Sequence, residues 1–156
     1  MIDEVDRKWV WVTVVAALVV SGCGPTAKDK LAGKWTGGVR FDQAAVQRKL
    51  DEGGSNPIKE AIVRKILEAL ETGTIDLEFK KDGSYTSTSR LGPWSENNYG
   101  RWEVIEESAQ RATIRMTDQA GKVLDTEIVF ADTDVVSVPL TGEAAGVGEF
   151  RCTRLP

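Results

Sequence analysis

Between Leu31 and Arg154 apolar and polar residues alternate in eight short runs, most of them separated by a turn signal. Alternation at a period of two sends successive side chains to opposite faces of an extended strand, so this pattern specifies half-buried strands. In LAGKWTGGVRF, Leu31, Gly33, Trp35, Gly37, Val39 and Phe41 share one face, and Lys34, Thr36 and Arg40 share the other. TIDLEFK aligns Ile75, Leu77 and Phe79; YGRWEVI aligns Gly100, Trp102 and Val104; ATIRMT aligns Ala112, Ile114 and Met116. VLDTEIVF aligns Leu124, Thr126, Ile128 and Phe130, and VGEFRCTR aligns Gly148, Phe150, Cys152 and Arg154. SYTSTSR is weakly apolar on either face, DVVSVPL carries Pro139 at its end, and GPWSENN before Tyr99 reads as a loop. The Gly37-Gly38 pair permits a sharp bend within the first strand. Lys81-Asp82-Gly83-Ser84 and Asp118-Gln119-Ala120-Gly121 are hairpin turns. Eight short strands in sequence order, joined by tight turns, predict a mainly β fold: an antiparallel meander closed into a barrel, with a sandwich as the alternative.

Two helical patterns interrupt the strands after the first, over residues 42–73. Asp42 is placed to cap a helix that Gly53-Gly54 stops, with Val46 and Leu50 as its narrow stripe. Asn56 is placed to cap a second, Pro57 suits its first position and Gly73 ends it. Its apolar residues, Ile58, Ile62, Val63, Ile66, Leu67 and Leu70, cover about 180° of arc, too wide a face for one neighbour. Ile62, Ile66 and Leu70 are expected over the barrel mouth, with Val63 and Leu67 against Val46 and Leu50.

The N-terminus follows a different rule. Arg7-Lys8, then an uncharged run from Trp9, then the small residues Ser21 and Gly22 before Cys23, have the form of a secretory signal. The run is shorter than the ~20 residues a membrane-spanning helix needs. Val20-Ser21-Gly22-Cys23 resembles the lipobox of bacterial lipoproteins. That resemblance implies removal of residues 1–22 and acylation of Cys23 with fatty chains such as palmitate. It also implies a domain held at the cell envelope outside the cytoplasm, at the outer membrane if the cell has one, because Gly24 and not Asp follows the cysteine. Residues 23–30 then form a lipidated cysteine and polar tether, and residues 31–156 the barrel domain.

Gly33-x-Trp35 on the first strand resembles the opening motif of lipocalins and fatty-acid-binding proteins. The Asp82-Gly83-x-Tyr85 hairpin, Gly100-x-Trp102 and a closing Arg154 extend the likeness over residues 31–154. The resemblance implies a lipocalin-like barrel in which an arginine of the last strand, Arg154 by its parity with Phe150 and Cys152 and with Arg151 as the competitor, lies across Trp35 and closes one end, while the helical pair covers the other. Tyr85, Trp102, Phe130 and Phe150 are then barrel filling or a ligand lining. The carboxylate-holding Arg-x-Tyr of fatty-acid-binding proteins is replaced by Arg151-Cys152-Thr153, so carboxylate capture does not carry over.

The chain has no histidine and a formal net charge of −4. It therefore lacks the commonest general base and metal ligand, along with every Ser-His-Asp or Cys-His arrangement. It has no Gly-x-Ser-x-Gly elbow and no phosphate-binding loop. No basic cluster exceeds a pair such as Arg48-Lys49 or Lys80-Lys81, which argues against nucleic acid as a partner. Cys152 reads as a small buried hydrophobe without a disulfide partner. No enzyme, metal or cofactor is expected. Two functions stay open: a membrane-anchored carrier of a small hydrophobic molecule, or a structural or interaction protein of the envelope with a side-chain-filled barrel.

Overall fold

The computed structural model describes residues 24–54 and 56–156. The signal segment and Cys23 lie outside the described residues. Eight strands follow one another around an antiparallel barrel in sequence order: β1 (Gly33–Phe41), β2 (Thr74–Phe79), β3 (Ser84–Leu91), β4 (Trp94–Glu107), β5 (Arg111–Asp118), β6 (Val123–Asp132), β7 (Val135–Pro139) and β8 (Gly148–Arg154). β8 pairs with β1 from Trp35↔Arg154 to Phe41↔Gly148 and shuts the barrel. Closure removes every sheet edge, which excludes the sandwich.

Gly37 belongs to this seam rather than to a free bend. A Cβ there would lie 2.0 Å from the Arg151 carbonyl oxygen, so β1 and β8 cross too closely for any side chain.

Among the described residues three α-helices accompany the barrel, α1 (Ala27–Leu31), α2 (Gln43–Glu52) and α3 (Pro57–Glu71), with a short 3-10 turn at Gly142–Ala144. The Asp42 carboxylate accepts from the Ala44 and Ala45 amides and starts α2. The Asn56 side chain accepts from Lys59 N and Pro57 occupies the first turn of α3. These caps satisfy amide groups that have no partner within the helix.

The helix α1 departs from the sequence reading. Residues 27–30, read as tether, are helical, and Leu31, read as strand, is the last residue of that helix. One turn is too short to show a 3.6-residue period. The signal present is the cap: Thr26 and Asp29 bond reciprocally in a capping box. Leu31 is 0% exposed and Ala27 3% exposed, so the turn is driven into the barrel end by burial.

The second departure is β4. Residues 94–98, read as loop, pair with β3 from Leu91↔Trp94 to Ser87↔Asn98. Gly92, at φ 56°, makes the tight turn between the strands.

The main core is one cluster: Leu31, Trp35, Phe79, Tyr85, Trp102, Ile114, Ile128, Val136 and Cys152. Phe79 and Trp102 rings meet at 4.9 Å between centroids. A second cluster joins the helical pair to the β7–β8 connection, with Ala45, Val46, Leu50 and Val147 buried and Val63 and Leu67 packed against them.

Candidate functional site

The two ends of the barrel are built from different materials. At the floor, α1 plugs the opening, and among the described residues no fully buried side-chain nitrogen or oxygen lacks a partner. The Trp35 indole N–H donates to the Leu31 carbonyl at 2.8 Å. The Arg154 guanidinium lies 4.3 Å from the Trp35 ring centroid. It also donates to the Ala32 carbonyl at 2.8 Å, to the Lys30 carbonyl and to Asp134 at 3.0 Å. Gly33 makes room for this: its φ is 137°, and a Cβ there would sit 2.6 Å from an Arg154 nitrogen. The Ala27 amide donates to Glu107 at 2.6 Å, and the Lys30 ammonium stands 5.1 Å from the Phe130 ring centroid. The Trp102 indole donates to the Lys80 carbonyl at 3.0 Å. The floor is a sealed structural joint.

Above the core the lumen changes character. Ile75, Leu77, Met116 and Val138 point inward by register yet are only partly buried. Leu124, opposite Met116, is 54% exposed. Trp94, on the lumen face of β4, is 78% exposed at the rim. These side chains pack against the core cluster from above while keeping part of their surface accessible. At the mouth a cavity of about 180 Å³ opens between the end of α3 and the starts of β2 and β8, lined by Val39, Leu70, Ile75, Ser89, Leu91 and Phe150 among others. That volume lies below the ~300–1,000 Å³ of ordinary ligand pockets.

The residues singled out from sequence divide between these regions. Tyr85 and Trp102 belong to the buried core, Phe130 packs at its margin, and Phe150 and Leu70 line the mouth. Val63 and Leu67 meet Val46 and Leu50 within the helical pair. Ile62 and Ile66 do not cover the mouth: they are 55% and 54% exposed, as is Ile58 at 74%. The α3 helix is anchored through Val63 and Leu67, and that contact turns its remaining apolar face outward. The lumen also holds polar residues that sequence reading passed over. Register places Ser87, Ser89, Glu96 and Asn98 on the inner face of β3–β4, and Thr126 on that of β6. Polar side chains at inward positions erase the alternation by which a strand is recognised, so no signal marked them.

Burial pushes the Cys152 thiol up to about 11, leaving it protonated at neutral pH and a poor nucleophile. Among the described residues no group of three or more histidine, cysteine, aspartate or glutamate side chains is placed to hold a metal ion. No described helix is long and apolar enough to cross a membrane.

The fold and site define a class: an eight-stranded antiparallel barrel with a plugged floor, a small apolar cavity at the mouth and a helical pair beside it. No protein-family model matches the chain, and no characterised protein matches its sequence. Among solved structures it is similar to As-p18, an extracellular fatty acid binding protein, at 12% identity and a TM-score of 0.42, over 81% of this chain and 97% of that one.

Proposed function

We propose that the chain is a non-catalytic carrier that takes a small hydrophobic molecule into its upper lumen. One observation carries this: inward apolar side chains above the core, Ile75, Met116, Val138 and Leu124, are left partly exposed. A barrel serving only as scaffold gains ~25 cal/mol for each Å² of such surface it covers, and this one leaves that surface open. The mouth cavity is small, so a ligand of ordinary size enters by outward movement of the Leu70 end of α3. The test is titration of the neutral probe N-phenylnaphthylamine into the purified protein, with native mass spectrometry for co-purifying lipid. Saturable binding supports the carrier. Absence of both binding and lipid replaces it with the envelope scaffold.

We further propose that the carrier is held at a membrane through lipidated Cys23. The support is the Val20-Ser21-Gly22-Cys23 sequence together with the position of α1. Only Gly24 and Pro25 separate the cysteine from the Thr26 cap, a reach of about 10 Å. The plugged floor then faces the membrane and the open mouth faces away. Intact mass of the wild-type protein and of Cys23→Ser tests it. The expected result is a diacylated, processed wild type and an unprocessed variant; an unmodified Cys23 sinks the anchor.

A further inference from the structure

The lumen above the core has two unlike walls. On the side of β1, β2, β7 and β8, register turns Val39, Ile75, Val138 and Phe150 inward. On the side of β3 and β4 the middle of the inward column is polar: Ser87 and Ser89, then Asn98 and Glu96 across the hairpin, above Tyr85 and below the apolar rim of Leu91 and Trp94.

Tyr85 is the deepest member. It is 3% exposed, its hydroxyl makes no hydrogen bond with the described chain, and that oxygen is not sealed from water. The phenol oxygen therefore takes its partner from water or from whatever occupies the lumen. Burial, and after it the Asp118 carboxylate, raise its hydroxyl above the ordinary tyrosine value, so it stays a neutral phenol. Glu96 faces Ser89 directly and forms no ion pair among the described residues.

Charge decides what such a wall accepts. Among the inward positions of the eight strands Arg154 is the one cation, and it is committed at the floor to Trp35, Ala32, Lys30 and Asp134. Arg90 contributes to the lining of the mouth cavity, but register puts it on the outer face of β3 and its guanidinium is paired with Asp76 at 2.5 Å. A carboxylate entering this lumen meets Glu96, exposed near the rim, and no unpaired cation among the inward positions of the described strands. Hydroxyl and amine donors meet the oxygens of Tyr85, Ser87, Ser89 and Glu96.

We propose that the ligand is an amphiphile with hydroxyl or amine donors and no free carboxylate, its polar groups lying along the β3–β4 wall and its apolar body against β1, β2, β7 and β8. This rests on the carrier reading and names its substrate class.

Displacement of N-phenylnaphthylamine by dodecanol, dodecylamine and dodecanoate, matched in chain length, tests it. The alcohol and the amine are expected to displace the probe, with dodecanoate about tenfold weaker or more because it brings a charge beside Glu96. In Glu96→Lys the order is expected to invert, with dodecanoate gaining and dodecylamine losing. Glu103→Lys, on the outer face of the same strand, serves as control and is expected to keep the wild-type order. Dodecanoate binding as tightly as dodecanol overturns the inference while leaving the carrier intact, and so does an unchanged order in Glu96→Lys. Failure of all three compounds and of the probe itself overturns the carrier reading and this inference together.

Discussion

The floor and the mouth of this barrel are made by the same eight strands, yet one is finished and the other is not. At the floor, α1 inserts Leu31 against Trp35, and Arg154 ties β8 to the carbonyls of Lys30 and Ala32. Burial and polar satisfaction coincide there, the condition under which a core is both stable and unique. At the mouth, Leu124, Trp94, Leu91, Ile62 and Ile66 remain exposed, at 38% or more each. Leaving that surface uncovered forgoes stabilisation that a scaffold would take. The difference teaches where to expect stability and where to expect binding: substitutions at the floor should move the unfolding free energy, and substitutions at the mouth should move ligand affinity.

Trp35→Ala gives the largest expected effect. Trp35 is 1% exposed and central to the core, so its truncation should cost about 3–5 kcal/mol in denaturant unfolding. A loss under 1 kcal/mol would mean that the floor is not the stable end.

Arg154→Ala comes next, at about 1.5–3 kcal/mol, the range for hydrogen bonds made by a charged group. Because the guanidinium lies over the indole, the double variant should lose less than the sum of the singles, by ~0.5–2 kcal/mol. Additivity in the double-mutant cycle would show that the stacking contributes nothing and that the carbonyl contacts carry the whole effect.

The same division explains what could be read from the sequence. Strand number, strand order, the helical insertion and both helix caps are legible, because Ile75-x-Leu77-x-Phe79 and its counterparts alternate and Asp42 and Asn56 stand before helical runs. Parity puts Arg154 on the face of Phe150 and Cys152, and the resemblance to lipocalins supplies Trp35 as what it covers. What is not legible lies where the physics behind the pattern is absent. Residues 94–98 form a strand at the exposed rim, where burial no longer selects for apolar residues, and Glu96 and Asn98 stand beside Trp94 on its inward face. The α1 turn is one turn long and shows only a capping box. The outward set of α3 is illegible for another reason. A face 180° wide tells how much apolar surface a helix has, not which part wins a neighbour, and here Val63 and Leu67 win theirs.

Between floor and mouth the wall offers a smaller, pH-dependent effect. The Asp76 carboxylate accepts from the Thr36 hydroxyl at 2.7 Å and pairs with Arg90, linking β1, β2 and β3. Thr36 first, then Arg90, hold its carboxyl below the ordinary carboxylate range. A carboxyl whose pKa is lower folded than unfolded contributes stability above roughly pH 4, and that contribution is lost as pH falls through the lowered folded value. With the aspartate side chain 39% exposed, the contribution should stay below about 1 kcal/mol. Asp76→Asn should therefore lower the thermal midpoint slightly at neutral pH and flatten its decline in acid. Parallel curves for the two proteins would remove Asp76 from the account.

The smallest expected effect is the sharpest test of the mouth. Ile66 is 54% exposed, one residue before Leu67, which packs in the helical pair. Glutamine keeps the helix propensity and removes only apolar surface. If α3 stands as described, Ile66→Gln changes the unfolding free energy by less than about 0.5 kcal/mol, the range of ordinary surface substitutions. If α3 instead closes over the mouth when the lumen is occupied, the variant should keep the stability of the empty protein but release N-phenylnaphthylamine faster than wild type. Measured side by side, unfolding and probe dissociation separate a helix that ornaments the rim from one that covers it. A loss of 1–2 kcal/mol in the empty protein, the price of a buried branched side chain, would place Ile66 in a contact already closed and reverse the contrast between the two ends.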